Sequence, residues 1–148
     1  HEHGFIPPGS GSILAYRLRK DGFVYLESAN GTGVTGTVGV LWKGGDLELN
    51  VQSPFGLARV QVTTAEGDPI PGYTFDECEG LTGDETAWVP RWSSNKKMPE
   101  LANSVIRIEV ELFSARLYSI RGQFAPLVAG EVYRFKSDGT LLAERPGF

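Results

Sequence analysis

The chain has 148 residues, with 14 basic and 18 acidic side chains that give a formal net charge of −4 at pH 7. This length suits a single domain with a sizeable core, and the acidic balance argues against a nucleic-acid-binding protein, which would present a basic face. Two histidines and one cysteine offer little material for a zinc cluster, a disulfide framework or a Ser-His-Asp site.

The chain divides into three parts by composition. Residues 1–11, with two consecutive prolines and several Gly-Ser steps, are typical of an interdomain linker. From residue 12 apolar and polar residues alternate, and the sequence has 19 glycines and 9 prolines as turn signals. No window shows the period of about 3.6 residues that marks an amphipathic helix. We therefore predict a β-domain over 12–124 and a C-terminal hairpin with a tail over 125–148.

In chain order, the alternation predicts short strands separated by turns. A first hairpin joins strands 13–18 and 23–26 across the turn Lys20-Asp21-Gly22. Further strands are predicted at 34–42, 47–51, 57–64 and 87–92, the last interrupted by Pro90. Turns are predicted at 30–33, 43–46 and 66–69, a strand break at 53–56, irregular chain at 70–84, and one helical turn at 99–102.

Two more hairpins complete the predicted elements. Strands 105–113 and 116–124 form the clearest one, closed at Ser114-Ala115, and strands 132–136 and 140–144 form the last. About eight to ten short strands at this spacing are typical of a sandwich or a barrel. We predict an all-β fold, an antiparallel β-sandwich that is jelly-roll-like.

Several motifs occur in an order that is more specific than composition. They are LRKDGF (18–23), GGDLELNV (44–51), ARVQV (58–62), GDPIPGY (67–73), DEC (76–78), GD (83–84), Trp92, VIRIEVEL (105–112) and ARLYSI (115–120). This order resembles the C-terminal β-sandwich that follows the five-bladed-propeller catalytic domain in some bacterial glycoside-hydrolase-like proteins. The likeness covers about residues 12–124, and 125–148 lie outside it.

The resemblance implies an accessory β-sandwich attached to a glycan-processing enzyme. It carries over no catalytic residue, because catalysis in that family belongs to the propeller. The implied partners are a polysaccharide or oligosaccharide and the catalytic domain of the parent protein. A likeness of fold alone does not establish a function.

Aromatic side chains are the usual platform for sugars, because the apolar face of a pyranose packs on an indole or phenol ring while its hydroxyls reach polar groups. Trp88 and Trp92 are four residues apart, so an unbroken strand would place both on one face. The alternative is that a tryptophan is buried between the sheets. Burial is the preferred interpretation for Trp92, and burial and exposure are equally favoured for Trp88 and Trp42. The predicted carbohydrate-binding residues are Trp88, Trp92, Trp42, Tyr73, Arg91 and Asp84.

Five carboxylates fall within residues 76–85 of a glycine-containing loop. Calcium takes about six to eight oxygen ligands from such loops, so structural Ca²⁺ is the one cofactor considered. The candidate metal ligands are Asp76, Glu77, Glu79 and Asp84. No spacing here matches a defined calcium loop, and the alternative is an ordinary solvated acidic loop.

Glu109 and Glu111 alternate with apolar residues and project from one strand face, about 7 Å apart. Carboxyl pairs about 5 to 9 Å apart hydrolyse glycosides, so a jelly-roll glycosidase is an alternative function. A strand face with cross-strand ion pairs is the simpler interpretation, since Arg107 shares it.

Cys78 is interpreted as a small buried apolar residue. No apolar run approaches the roughly 20 residues of a membrane-spanning helix, and we expect no nucleic-acid partner and an extracellular or secreted location. The predicted function is a non-catalytic carbohydrate-binding module of a carbohydrate-active enzyme. The alternatives are a purely structural β-sandwich that supports a catalytic domain, and the glycosidase above.

Overall fold

A computed structural model describes residues 15–127 of the chain. The predicted linker and the predicted hairpin at 132–136 and 140–144 lie outside the described residues. Within them, no helix is long and apolar enough to cross a membrane. The elements are β1 (Leu26–Gly36), β2 (Val40–Thr64), β3 (Cys78–Glu79), β4 (Leu81–Trp88), β5 (Arg91–Trp92), a 3₁₀ helix (Met98–Leu101) and β6 (Ser104–Pro126).

The larger sheet has four strands in the order β1-β6-β2-β4, and β3 and β5 form a separate two-stranded sheet. On one side β6 pairs antiparallel with β1 over residues 109–117. On the other side it pairs with β2, from Val40 opposite Pro126 to Thr64 opposite Ile106. Partner numbers fall as β2 numbers rise, so this pairing is antiparallel as well. The prediction of an all-β, antiparallel fold is confirmed.

The start of β2 closes the larger sheet on itself. Residues 40–42 pair with 124–126 and also with 104–106, which are the two ends of the same strand. One segment can contact both ends of β6 only if the sheet curls strongly. The result is a half-barrel, and the two-layer jelly-roll arrangement is not confirmed by this topology.

The predicted hairpin at 105–113 and 116–124 is wrong. Both segments belong to one bent strand, β6, and both pair with successive parts of β2. Ser114, which was predicted to close the hairpin, has a positive φ of 46° and lies where the strand bends. The register with β2 shifts between Gln52 and Leu57, so extra residues of β2 accompany the bend as a bulge does.

Glycine-rich turns were also misassigned. The predicted turns at 30–33 and 43–46 and the predicted strand break at 53–56 lie inside β1 or β2, at shifts of register where the chain bends without reversing. The predicted strand 23–26 is wrong too, because only Leu26 joins β1. The turn at 66–69 is confirmed by hydrogen bonds between Thr64 and the backbone of 67 and 68. The helical turn is confirmed as the 3₁₀ helix.

The concave side of the sheet holds the core. Trp42 is fully buried there and stacks on Phe124, with ring centres 6.0 Å apart. Gly122 leaves the space for the Trp42 indole, since a Cβ at this position would lie 2.4 Å from Trp42 Cη2. Alternate residues of the two long strands complete the core: Leu47, Leu49, Val51, Val60, Val62, Ile106, Ile108, Val110, Leu112 and Leu117.

The turn that precedes β1 lies against the opposite side of the sheet. Its Arg19 donates from Nε to Asn50 Oδ1 at 2.6 Å and from NH2 to the Val51 carbonyl at 3.0 Å. The guanidinium also lies 4.6 Å from the centre of the Tyr118 ring and forms an ion pair with Asp84. Asn50 Nδ2 in turn donates to the Lys20 carbonyl, so both ends of the buried Asn50 amide are satisfied, and Arg19 holds Asp84 in place.

We expect Gly122→Ala to lower the free energy of unfolding by about 1–3 kcal/mol, because the added methyl group overlaps the buried Trp42 ring. Denaturant unfolding followed by circular dichroism measures the change. Gly33→Ala is the matched control, since its Cβ would come no closer than 3.7 Å to another residue. An equal loss of stability in both variants would contradict the role given to Gly122.

Candidate functional site

The small sheet attaches to the edge of β2 through side chains instead of strand pairing. Val60 N donates to Cys78 Sγ at 3.3 Å, and Trp92 Nε1 donates to the Val60 carbonyl at 3.1 Å. Burial raises the pKa of the Cys78 thiol. Cys78 is therefore a buried structural residue, and this prediction is confirmed.

Three of the predicted sugar-binding aromatics belong to the core. Trp42, Tyr73 and Trp92 are at most 2% exposed. The Tyr73 and Trp92 rings meet edge to face at 5.2 Å, and Tyr73 Oη donates to the Lys97 carbonyl at 2.9 Å. Burial raises the pKa of Tyr73, and the nearby Glu100 adds to the effect. These rings have no face open to a sugar, so the structure corrects their assignment to a surface platform.

Trp88 has a different environment from the other two tryptophans. It lies opposite Leu49 at the end of β4, is half-buried, and packs one part of its ring against the core. The chain then leaves the larger sheet at Pro90 and enters the small sheet at Arg91. The unbroken strand that would place Trp88 and Trp92 on one face does not form, because the two residues belong to different sheets.

Two cavities at this junction between the sheets share part of their lining. The first, the Trp88 lobe, has a volume of about 420 Å³ and is lined by Glu79, Gly80, Glu85, Ala87, Trp88, Val89 and Arg91. The second, the Lys97 lobe, has a volume of about 450 Å³, and its polar lining comprises Asp46, Glu79, Arg91, Asn95, Lys96 and Lys97. The two lobes share Glu79, Val89 and Arg91, and together we name them the Arg91 cleft. The volume of each lobe is within the usual range for a small-ligand site.

Arg91 lies between the lobes and is solvent-exposed, whereas its neighbour Trp92 points into the core. It is directly opposite Glu79 in the β3–β5 pair, so the two side chains share a face. Neither side chain forms an ion pair or a hydrogen bond with residues 15–127. The cleft thus offers an uncommitted guanidinium and an uncommitted carboxylate beside an indole ring.

The predicted metal ligands do not meet at one point. Asp76 is 3.6 Å from Arg59, Asp84 is paired with Arg19, and Glu79 lines the Arg91 cleft. Glu77 accepts hydrogen bonds from Gly72 and Thr74. Among residues 15–127, no group of three or more His, Cys, Asp or Glu side chains is placed to hold a metal ion. The positions of these carboxylates lend no support to the calcium prediction.

Glu109 and Glu111 form cross-strand contacts with β2. Glu111 Oε2 is 2.6 Å from a terminal nitrogen of Arg59, and Glu109 Oε2 accepts from Gln61 Nε2 at 2.8 Å. Both carboxylates are half-buried within this polar face. The contacts favour the interpretation as an ion-paired surface over a catalytic pair.

Sequence reasoning missed part of the cleft. Lys96, Lys97 and Asp46 were not among the predicted residues, and Glu79 was assigned only to a metal. The available signal was the Asn-Lys-Lys run in the polar loop directly after β5. Asp46 had no such signal, because only the curl of β2 brings it to this position.

Comparison with known proteins gives no match: no family model, no curated protein and no solved structure resembles the chain significantly. The chemistry of the Arg91 cleft is therefore interpreted from its own residues.

Glu77 provides a test of the loop that borders the cleft. Hydrogen bonds from the Thr74 hydroxyl and backbone N–H, and then from Gly72 N–H, lower the pKa of its carboxyl from 4.5. A carboxyl whose pKa is lowered in the folded state stabilises the fold at pH values above its unfolded-state pKa. This stabilisation is lost as the pH falls through the folded-state pKa. We expect Glu77→Gln to be less stable than the wild type at pH 7, with the difference shrinking below about pH 4.5.

Thermal unfolding between pH 3 and pH 7 measures this effect. Glu79→Gln is the control, because the Glu79 carboxylate accepts no hydrogen bond from residues 15–127. A Glu77→Gln variant whose deficit stays constant over this range would show that the carboxylate charge is not involved.

Proposed function

We propose that the chain is a non-catalytic carbohydrate-binding module of a carbohydrate-active enzyme, and that it binds a polysaccharide or oligosaccharide in the Arg91 cleft. The observation that carries the proposal is the half-exposed Trp88 indole beside uncommitted Arg91 and Glu79 side chains in a concave site. The order of motifs that resembles the accessory sandwich of some bacterial glycoside-hydrolase-like proteins points to the same class. In this proposal the parent protein is secreted and its catalytic domain is the neighbour of this module.

The chemistry of the Trp88 lobe fits a sugar ring. A pyranose presents an apolar C–H face, which packs on an indole, and hydroxyl groups around its edge. Glu79 and Glu85 accept hydrogen bonds from these hydroxyls, and Arg91 donates to their oxygens. A few polar groups around an aromatic surface are the usual lining of a small-ligand site.

The lobe is also well positioned before any ligand arrives. Trp88 is held by strand pairing with β2 and by its packing against the core, so its ring loses little freedom on binding. Pro90 restricts the backbone between Trp88 and Arg91. A rigid indole beside a guanidinium on a neighbouring strand reduces the entropic cost of binding a weak ligand.

We expect the wild type to be retarded in gels that contain a polysaccharide it binds. Trp88→Ala should abolish this retardation, because the stacking surface is removed. Affinity electrophoresis against a panel of soluble polysaccharides measures this, with and without added Ca²⁺. Since Trp88 packs partly on the core, the same change also lowers stability by about 1–3 kcal/mol.

The matched control for this loss of stability is Leu81→Ala. Leu81 is another half-buried residue of β4 that packs against the core and does not line the cleft. We expect it to lower stability by a similar amount and to leave the retardation unchanged. Normal retardation of Trp88→Ala, or equal loss in both variants, would contradict binding at the Trp88 lobe.

A second candidate is a structural β-domain that supports a catalytic partner and binds no sugar. The observation in its favour is a group of exposed apolar side chains before β1, among them Tyr16, Phe23 and Val24, which are 75–85% exposed. Large exposed apolar patches often mark a protein interface. This second function predicts that no polysaccharide retards the protein. It also predicts that the protein binds a hydrophobic fluorescent dye, and that the double variant Phe23→Ser, Val24→Ser binds less of it. Retardation that Trp88→Ala removes would contradict it.

A further inference from the structure

We infer that the Lys97 lobe binds the carboxylate of a uronic acid, so the Arg91 cleft selects acidic polysaccharides in which a uronic acid lies next to a neutral sugar. This inference rests on the proposed function and specifies its ligand class.

The charges of the Lys97 lobe favour one anionic group. Its lining contains three cations, Arg91, Lys96 and Lys97, against two carboxylates, Asp46 and Glu79. The Lys96 charge is shared with the nearby Glu77, so Arg91 and Lys97 are the two cations left to meet an anion. Two cations beside two carboxylates complement a single carboxylate better than a densely sulfated chain, which the acidic side chains would repel.

Two of these cations are uncommitted. The side chains of Arg91 and Lys97 form no ion pair or hydrogen bond with residues 15–127. Lys96 is different, since its Nζ donates to the Pro71 carbonyl at 3.2 Å and lies 5.6 Å from the Tyr73 ring centre. Four other arginines are paired with carboxylates: Arg19, Arg59, Arg116 and Arg121. Arg91 therefore remains available to an outside carboxylate, to which a guanidinium donates two parallel hydrogen bonds.

The backbone around these cations is already fixed. The Lys97 carbonyl accepts from Tyr73 Oη at 2.9 Å, and Lys97 N–H donates to Glu100 Oε1 at 3.0 Å. Asn95 N–H donates to the Trp92 carbonyl at 2.9 Å, which closes the turn after β5. Because the fold holds the lobe in shape, only the ends of the Arg91 and Lys97 side chains need to be ordered on binding.

The Trp88 lobe has the opposite preference. Its two carboxylates, Glu79 and Glu85, face a single cation, Arg91. They repel a second acidic sugar but accept hydrogen bonds from neutral hydroxyls. Since the lobes adjoin at Arg91, a ligand that fills both carries a neutral ring over Trp88 and a uronic acid beside Lys97.

The test compares polysaccharides that differ only in charge. A panel of uronic-acid-containing polysaccharides, glucuronoxylan among them, is used in pairs, each with the same polymer after chemical reduction of its carboxyl groups. We expect the wild type to bind at least one acidic member about tenfold more tightly than its reduced partner. This difference should fall as the salt concentration rises from about 50 to about 500 mM, because salt screens contacts between charges. Affinity electrophoresis and titration calorimetry measure the binding.

Variants separate this inference from the proposed function. Arg91→Gln with Lys97→Gln should make binding to the two members of a pair equal, whereas Trp88→Ala should abolish binding to both. Lys20→Gln, which removes an exposed charge in the turn before β1, should leave the acidic preference unchanged. Equal binding of both members by the wild type overturns the uronic-acid inference and leaves the proposed function standing. Binding to no member of any pair overturns both.

Discussion

The fold depends on the pairing of residues 40–42 with both ends of β6. This double pairing forces the sheet to curl, and the curl creates a concave side deep enough to bury Trp42 beside Phe124. It also fixes which edges stay open. β1 pairs with β6 alone, and the far edge of β2 remains available for β4 and for the side chains of the small sheet.

The Arg91 cleft is a consequence of how the small sheet is attached. If a third long strand paired with β2, the N–H and carbonyl of Val60 would form backbone hydrogen bonds to it. Cys78 and Trp92 satisfy that backbone with side chains instead, so strand pairing does not set how the small sheet packs on the larger one. The chain crosses this junction at Pro90, which places Trp88 on one sheet and Arg91 on the other with open space between them.

Sequence reasoning identified the class of the fold and part of the candidate site. Alternation of apolar residues along 57–64 and 105–112 correctly indicated half-buried antiparallel strands. Glycine and proline marked the places where the chain deviates, but local sequence does not distinguish a reversal from a bulge, because that depends on the partner strand. Trp88 and Arg91 were found because aromatic and cationic side chains are recognisable by type. The burial of Trp42 and the placement of Asp46 follow from curling that no local pattern encodes.

The central position of β6 has a consequence for synthesis. β6 is the last strand among the described residues, yet β1 and β2 both pair with it, and Val40 pairs with Pro126. During translation the two earlier strands leave the ribosome before their common partner exists, so the sheet cannot assemble progressively from the N-terminus. Such long-range pairing folds slowly and leaves strand edges exposed meanwhile. Only the β2–β4 edge can pair before β6 is made, so β1 and residues 40–42 stay unpaired until β6 has emerged, which gives any cellular factor that recognises extended polypeptide a long interval in which to act.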